Sequence, residues 1–477
     1  MKVDSHFTPT NASTTKDAPA DKSSPSWARR FFVLLWIFLL AFEGGYLWHL
    51  GNGLNYRADP HAEADTLRAA DGYVAEGLDA NHLLPRLLYG HRFANVGTVK
   101  DHVDSQGLVV SDFRQDFPAK MADPDKWVTT HCPPAADLAN GVMARTFGVD
   151  PIWRLRLFPT AIGLLALAFF FRTIVRAWGI ECGALIALAV VVLPMVLLWL
   201  PSLHFQGYAF ALLLVQTSVL IRQFWLRDRQ GFLFLPTLFL LGLIQGLLSW
   251  DHLFLVSLLT LPWWLLRRAD GANPQFSWLF WSVAAPAAGF AFAHIAHFWM
   301  AANELHGWQA AFGEFRRTAA ERGGVSERGT ALVRYVLKSL YLYIRWCFKP
   351  NNLNFGPFFA LLLAVAIPTA VFSTTEISFS LCAANRRWHI SLIWPGARSP
   401  LVPLAGALFV GTVWLLAMPQ HTVGNSHVTV HHLAVFYICM AVIVARSLKF
   451  RACSQSSVTE TTTAGPERTE SASVGMR

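Results

Sequence analysis

Charge is what this sequence has least of. Only 14% of its 477 residues are Asp, Glu, Lys or Arg, against 54% hydrophobic, and the mean hydropathy is +0.37. That balance excludes an ordinary soluble domain. Cysteine is also sparse. The six, Cys132, Cys182, Cys347, Cys382, Cys439 and Cys453, show no CxxC spacing, which argues against a disulfide framework or a zinc knuckle. The net charge of +9 comes without any basic stripe interleaved with aromatics, so nucleic acid is not an expected partner. No internal repeat is visible, and repeats are what transporters usually show.

Long apolar runs are what the chain does have. Runs of about 20 residues are needed to cross the hydrocarbon core of a bilayer. We draw spans at Phe31–Leu50, Leu155–Trp178, Ile180–Leu200, Gln206–Phe224, Phe232–Ser249, Leu253–Leu266, Trp278–Met300, Phe355–Phe372, Leu401–Met418 and Leu433–Val444. Ala331–Phe348 carries Arg334, Lys338, Arg345 and, just beyond, Lys349 among Leu, Tyr and Trp, and reads as an amphipathic helix lying in the interface. The expected fold class is an α-helical polytopic membrane protein of about ten spans, or eleven if that helix also crosses. The first run lacks a clear cleavage site and is expected to stay as a signal anchor. The polar ends, 1–29 and 448–477, read as disordered tails.

Arginine orients this map. Arg29, Arg30, Arg172, Arg176, Arg222, Arg227, Arg229, Arg267, Arg268, Arg386, Arg387 and Arg451 fall on one side, assigned to the cytoplasm together with both termini. Histidine gives an independent check, because of 17 only His6 and His389 fall on that side. The expected organisation is a first span at 30–50, an outer loop with short helices at 51–154 and spans two to seven at 155–300. An outer loop with the interfacial helix at 301–354 and spans eight to ten at 355–447 follow.

The polar loop at 51–154 holds the first candidates for chemistry. Asp59, Glu63 and Asp65 open it, and Ala64–Gly77 reads as a short helix with Leu67, Ala70, Val74 and Leu78 on one face. A carboxylate there can take a proton from an acceptor hydroxyl, or it can simply cap the helix. The loop closes on Thr130-His131-Cys132-Pro133-Pro134, whose prolines hold His131 extended and restart the chain as a helix at Ala135. His131 then contacts substrate or faces water. Glu43 lies within the first span, where a carboxylate normally faces the bundle interior with a partner. Asp251 and His252 open a span at its outer edge and can pair. Arg316 and Arg317 form the strongest outer cationic pair, suited to a phosphate or to lipid head groups. The late histidines His427, His431 and His432 combine i, i+4 spacing with a helix start, so His427 and His431 can share a face, and they suit a phosphate or a merely interfacial role better than a metal, for which no third ligand is evident.

The block from Thr130-His131-Cys132-Pro133-Pro134 through Phe147-Gly148 to Arg154-Leu155 resembles that of the GT-C membrane glycosyltransferases, protein O-mannosyltransferases and aminoarabinose transferases in particular. The resemblance covers roughly residues 30–270 and is architectural beyond. It implies a GT-C-like bundle that transfers a sugar from a polyprenyl-phosphate donor to an acceptor glycan, lipid or protein. It implies a multi-pass protein of a bacterial inner membrane with its active side outward. No cofactor is implied, with a divalent metal as the open alternative. The family's catalytic roles would fall to Glu63 or Asp65 with His131, and phosphate binding to Arg316, Arg317, Asp251, His252, His427 and His431. The chain departs from the family where adjacent acids are usual, reading His61-Ala62-Glu63-Ala64-Asp65, with Ala62 at the first acid. An inactive relative that binds a lipid-linked glycan is therefore the second reading, and a transporter or flippase the third.

Overall fold

The computed structural model describes residues 26–90, 92–93, 96, 109–110, 120–121, 128–130, 132–226, 231–323, 330–348, 361–368, 376–382, 387–393, 399–424 and 430–446. The protein is α-helical, and among the described residues four helices are long and apolar enough to cross a membrane: Ser26–Leu50 (α1), Trp153–Trp178 (α4), Phe205–Leu226 and Phe276–Glu304 (α11). Between α1 and α4 lie α2 (Pro60–Glu76), a minimal hairpin pairing Val109 with Met121, and α3 (Ala135–Phe147). After α4 come α5 (Ile180–Val191), α6 (Pro194–Trp199) and α7 (Phe205–Ile221), which closes in a π-helical turn at Arg222–Leu226. Then follow α8 (Gly231–Leu248), α9 (Leu253–Leu258), α10 (Thr260–Ala269), α11, α12 (Trp308–Gly323) and α13 (Thr330–Phe348). The helix α14 at 361–368, a second hairpin, α15 (Leu401–Ala417), α16 (Pro419–Gly424) and α17 (Ala434–Arg446) complete the described chain.

Several expected boundaries are corrected. The run Ile180–Leu200 is two helices, because Leu193 is extended before Pro194, and a proline has no N–H to continue the ladder. Leu253–Leu266 likewise divides into α9 and α10. Only 361–368 of Phe355–Phe372 is described. The charged loop after Met300 is largely helix, with α11 running on to Glu304 and α12 beginning at Trp308. The hairpin pairing Glu376–Cys382 with Arg387–Ile393 was not expected, although both strands alternate apolar and polar residues in period two.

The helices are held by packing rather than by polar contacts. One large apolar core joins α1, α4, α5, α7, α8, α10, α15 and α17. The crossing of α8 with α11 depends on the absence of side chains. A Cβ at Gly242 would lie 2.0 Å from the Pro286 carbonyl oxygen, and one at Gly289 2.0 Å from that of Phe239. Such backbone contact is how helices associate where the surroundings are as apolar as the helices themselves. On the outside, α1 exposes Val33, Leu34, Ile37, Phe38 and Leu40, and α11 exposes Phe280, Trp281, Phe292, Ile295 and Trp299.

The two ends of α4, about 39 Å apart, carry different chemistry. At its C-terminal end, Trp178 and Trp225 stack edge to face under Arg446 and Arg267, and Trp225 donates to Asp270. At its N-terminal end sit α2, α3 and the turns before α7 and α9. Titratable groups gather there in a polar cap.

Candidate functional site

Helix α2 organises this cap. It begins four residues earlier than expected because the Asp59 carboxylate accepts from the Ala62 N–H and Pro60 fits the first helical turn. Ala64, Leu67, Ala70 and Tyr73 form its buried face, whereas Val74 is exposed. Gly141 of α3 lets the Tyr73 ring seat, since a Cβ there would stand 2.6 Å from it.

Glu63, fully buried, is a structural tie. Its Oε1 accepts from Arg156 Nη1 at 2.6 Å and from the Leu203 N–H at 3.1 Å. Its Oε2 accepts from Arg156 Nη2 at 2.9 Å and from the Asn55 N–H at 2.8 Å. Arg156 also donates to the carbonyls of Gly53 and Pro201. The loop after α1, the start of α4 and the turn before α7 therefore meet on one carboxylate. A carboxylate carrying four donors, two of them from a bidentate guanidinium, has no lone pair left to receive a proton. Such a carboxylate is suited to holding the fold together rather than to taking a proton from a substrate.

Asp65, two residues along the helix and so on its opposite side, faces elsewhere. It pairs with Arg68, whose buried guanidinium also donates to the carbonyls of Leu87, Arg92, Phe93 and Val96 and so fixes the following loop. Burial lowers the Arg68 pKa, and Asp65 opposes this. The Asp65 charge also reaches a second acid, Asp137 of α3. Burial pushes the Asp137 carboxyl up to about 6, a hydrogen bond from the Thr66 side chain and the charge of His204 pull it down, and Asp65 adds to the rise. His204 Nδ1 is in turn bonded to Gln206 Oε1. Asp65, Thr66, Asp137 and His204 thus form one electrostatic unit drawn from three elements. Asp137 was missed in the sequence because an acid in the first turn of a helix after Pro-Pro looks like a capping residue.

A second group lies beyond Phe205, whose ring meets His204 at 4.1 Å and His252 at 5.5 Å. Asp251 and His252 sit in the turn between α8 and α9, both buried, with His252 Nε2 3.9 Å from Asp251 Oδ1. His432, on the 3-10 turn Val430–Leu433, brings Nε2 to 3.9 Å from Asp251 Oδ2. The Ser249 hydroxyl donates to Asp251. The ligand atoms of Asp251, His252 and His432 all lie within 4.8 Å of one another, a set able to hold a metal ion.

A third group surrounds Trp250, which stacks on His294 at 4.2 Å and meets Phe315 at 4.3 Å. His297 is hydrogen-bonded to the Thr130 backbone, which fastens the segment before Cys132 to α11. Thr130, Trp250, His297, Glu314 and Phe315 line a cleft whose inner space is about 10 Å³, close to one water molecule.

Of the remaining expected site residues, Arg316 is exposed on α12, next to Phe315, and among the described residues enters no ion pair with the acids. His131, His427 and the side chains of Arg317 and His431 lie outside the described residues. Of the late histidines, the one that the fold buries beside Asp251 is His432. No family model, no curated protein and no solved structure matches this chain.

Proposed function

We propose that this chain is a membrane glycosyltransferase of the GT-C class, moving a sugar from a polyprenyl-phosphate donor to an acceptor hydroxyl at the outer face of the membrane. The observation that carries this reading is the Asp65–Asp137–His204 unit. Two interacting carboxyls, Asp137 buried and Asp65 partly exposed, stand at the polar end of an apolar helical bundle, where a lipid-linked donor and a water-borne acceptor would meet. An acid with its pKa near 6 is poised to accept a proton near neutrality, as general-base catalysis needs. Asp65 and Asp137 take the base and orienting roles, and Glu63 holds α2 in place beneath them. Arg316, on the rim beside Phe315, is the cation suited to a departing phosphate.

About ten spans with a polar outer cap remain the topology we assign. The tryptophan–arginine end of α4 supports a cytoplasmic placement of that end, since interfacial aromatics and cations gather there. Helix α13 supports the interfacial assignment. It exposes Val333, Leu337, Leu340, Tyr341 and Ile344 beside the exposed Arg334 and Lys338, and it is anchored by Ser339 donating to the Pro419 carbonyl.

The test is transfer of a labelled sugar from a polyprenyl-phosphate donor by the purified full chain. Asp65→Asn and Asp137→Asn are each expected to lower turnover about 10²–10⁴-fold while the protein stays folded. Full turnover in both variants overturns the mechanism. A second reading, binding of a lipid-linked glycan without turnover, draws support from the Arg68 pairing of Asp65. Saturable binding with no transfer by the unmodified chain would favour it.

A further inference from the structure

We propose that Asp251, His252 and His432 form a binding site for one divalent transition-metal ion, of which zinc is the best match. The inference is independent of the glycosyltransferase reading, because the metal is measured with no sugar present.

The donor set is two imidazole nitrogens and one carboxylate, which suits zinc and its neighbours and disfavours magnesium and calcium, ions that select oxygen-only cages. The arrangement converges. Both histidines aim Nε2 at the same carboxylate, His252 at Oδ1 and His432 at Oδ2, each at 3.9 Å. In a tetrahedral zinc site with bonds of about 2.0–2.1 Å, neighbouring ligand atoms stand about 3.3 Å apart. Binding would draw each histidine nitrogen about half an ångström closer to the carboxylate, and the two histidine nitrogens, which lie within 4.8 Å of each other, closer together.

The surroundings suit an ion as well. Asp251, His252 and His432 are 3%, 0% and 1% exposed. Phe205 packs on the His252 ring and Trp414 on that of His432, giving an apolar shell that keeps competing water away. The Ser249 hydroxyl donates to Asp251 Oδ1 and so holds the carboxylate, the kind of outer-shell contact that metal sites depend on. Three protein ligands leave a fourth position for a water or a substrate oxygen, as catalytic rather than structural zinc sites do. The ion would also staple the turn between α8 and α9 to the start of α17, two segments far apart in sequence.

The experiment is metal analysis of the full chain, purified in detergent without a histidine tag, supplied with zinc and then dialysed against a weak chelator. About one zinc per chain is expected in the unmodified protein. Asp251→Asn and His432→Gln are each expected to reduce this to background. Ser249→Ala is expected to weaken zinc binding roughly 10- to 100-fold, and His294→Gln, outside the cluster, to leave it unchanged. Cobalt in place of zinc should give visible ligand-field absorption in the unmodified chain and none in His432→Gln. A strong chelator should lower the unfolding temperature of the unmodified chain, with zinc but not magnesium restoring it. That last measurement holds even where a variant fails to fold. Absence of retained zinc and of any chelator effect in the unmodified chain overturns the proposal, as does equal zinc in His432→Gln.

Discussion

Glu63 and Asp65 stand two residues apart on the same short helix and do opposite work. Glu63 is sealed at 0% exposure with four donors on its carboxylate. Asp65 is partly exposed, paired on one side with Arg68 and set on the other against a second acid, Asp137, that burial keeps hard to ionise. The first site is satisfied in every lone pair and contributes stability. The second holds like charges together in a poorly solvated place, an arrangement that opposes folding and that chemistry uses. Glu63 is therefore a structural tie, whereas Asp65 and Asp137 are brought together from separate helices.

The comparison breaks most visibly at Glu63. Glu63→Ala leaves the buried Arg156 guanidinium uncompensated and is expected to destabilise the protein by about 3–5 kcal/mol, read from unfolding in detergent. A loss below about 1 kcal/mol would mean that the carboxylate is not the tie described here.

Asp137 should behave in the reverse sense. Its folded pKa, about 6, lies above the ordinary value of 3.8, so the unfolded chain releases this proton first. Stability from this group is present at pH 4 and is lost as pH rises to about 6. Asp137→Asn should therefore raise stability by up to about 3 kcal/mol at pH 7–8 and change it little at pH 4. The measurement is the difference in unfolding temperature between the two pH values. A variant that gains stability while losing transfer would mark Asp137 as held in its place for function.

Packing between α2 and α3 sets the distance between the two acids. Gly141→Ala forces a methyl onto Tyr73 and is expected to cost about 1–3 kcal/mol, with a fall in transfer from the displaced Asp137. Unchanged stability would show that the Tyr73 ring yields freely. The smallest effect is expected at the edge of the Glu63 knot, where Tyr46 Oη donates to Asn55 Oδ1 at 2.6 Å. Tyr46→Phe should cost about 0.5–1.5 kcal/mol in the same unfolding assay and leave transfer intact.

Much of the fold was legible because it rests on composition. Long apolar runs announced α1, α4, α7 and α11, and a Pro-Pro pair announced the start of α3 at Ala135. Helix boundaries failed where a single residue decided them, as at Pro194, or where capping by Asp59 extended α2 toward the N-terminus. The second hairpin was obscured by apolar neighbours, although Ile377, Phe379 and Leu381 alternate along one strand and pair with Leu392, Ile390 and Trp388 of the other on the same face.

The site was legible only in part. The sequence singled out Glu63, Asp65, Asp251 and His252, and the cap does contain all four. It could not assign their roles, because a carboxylate's function depends on which donors reach it, and those donors come from residues far along the chain. Arg156 meets Glu63 across 93 positions, and Leu203 meets it across 140. For the same reason Asp137 was passed over, and His432 could not be matched to Asp251.

The sequence by itself determined that this is a helical protein with segments able to cross a membrane, and that its polar residues concentrate between the first two such segments. Hydrophobicity and length are local properties, so they survive in one dimension. Only the tertiary structure decided that Glu63 is spent on Arg156, that Asp65 acquires Asp137 as a neighbour, and that Asp251, His252 and His432 converge. Desolvation, charge proximity and donor geometry are set by what surrounds an atom in space, and no stretch of chain carries that information alone.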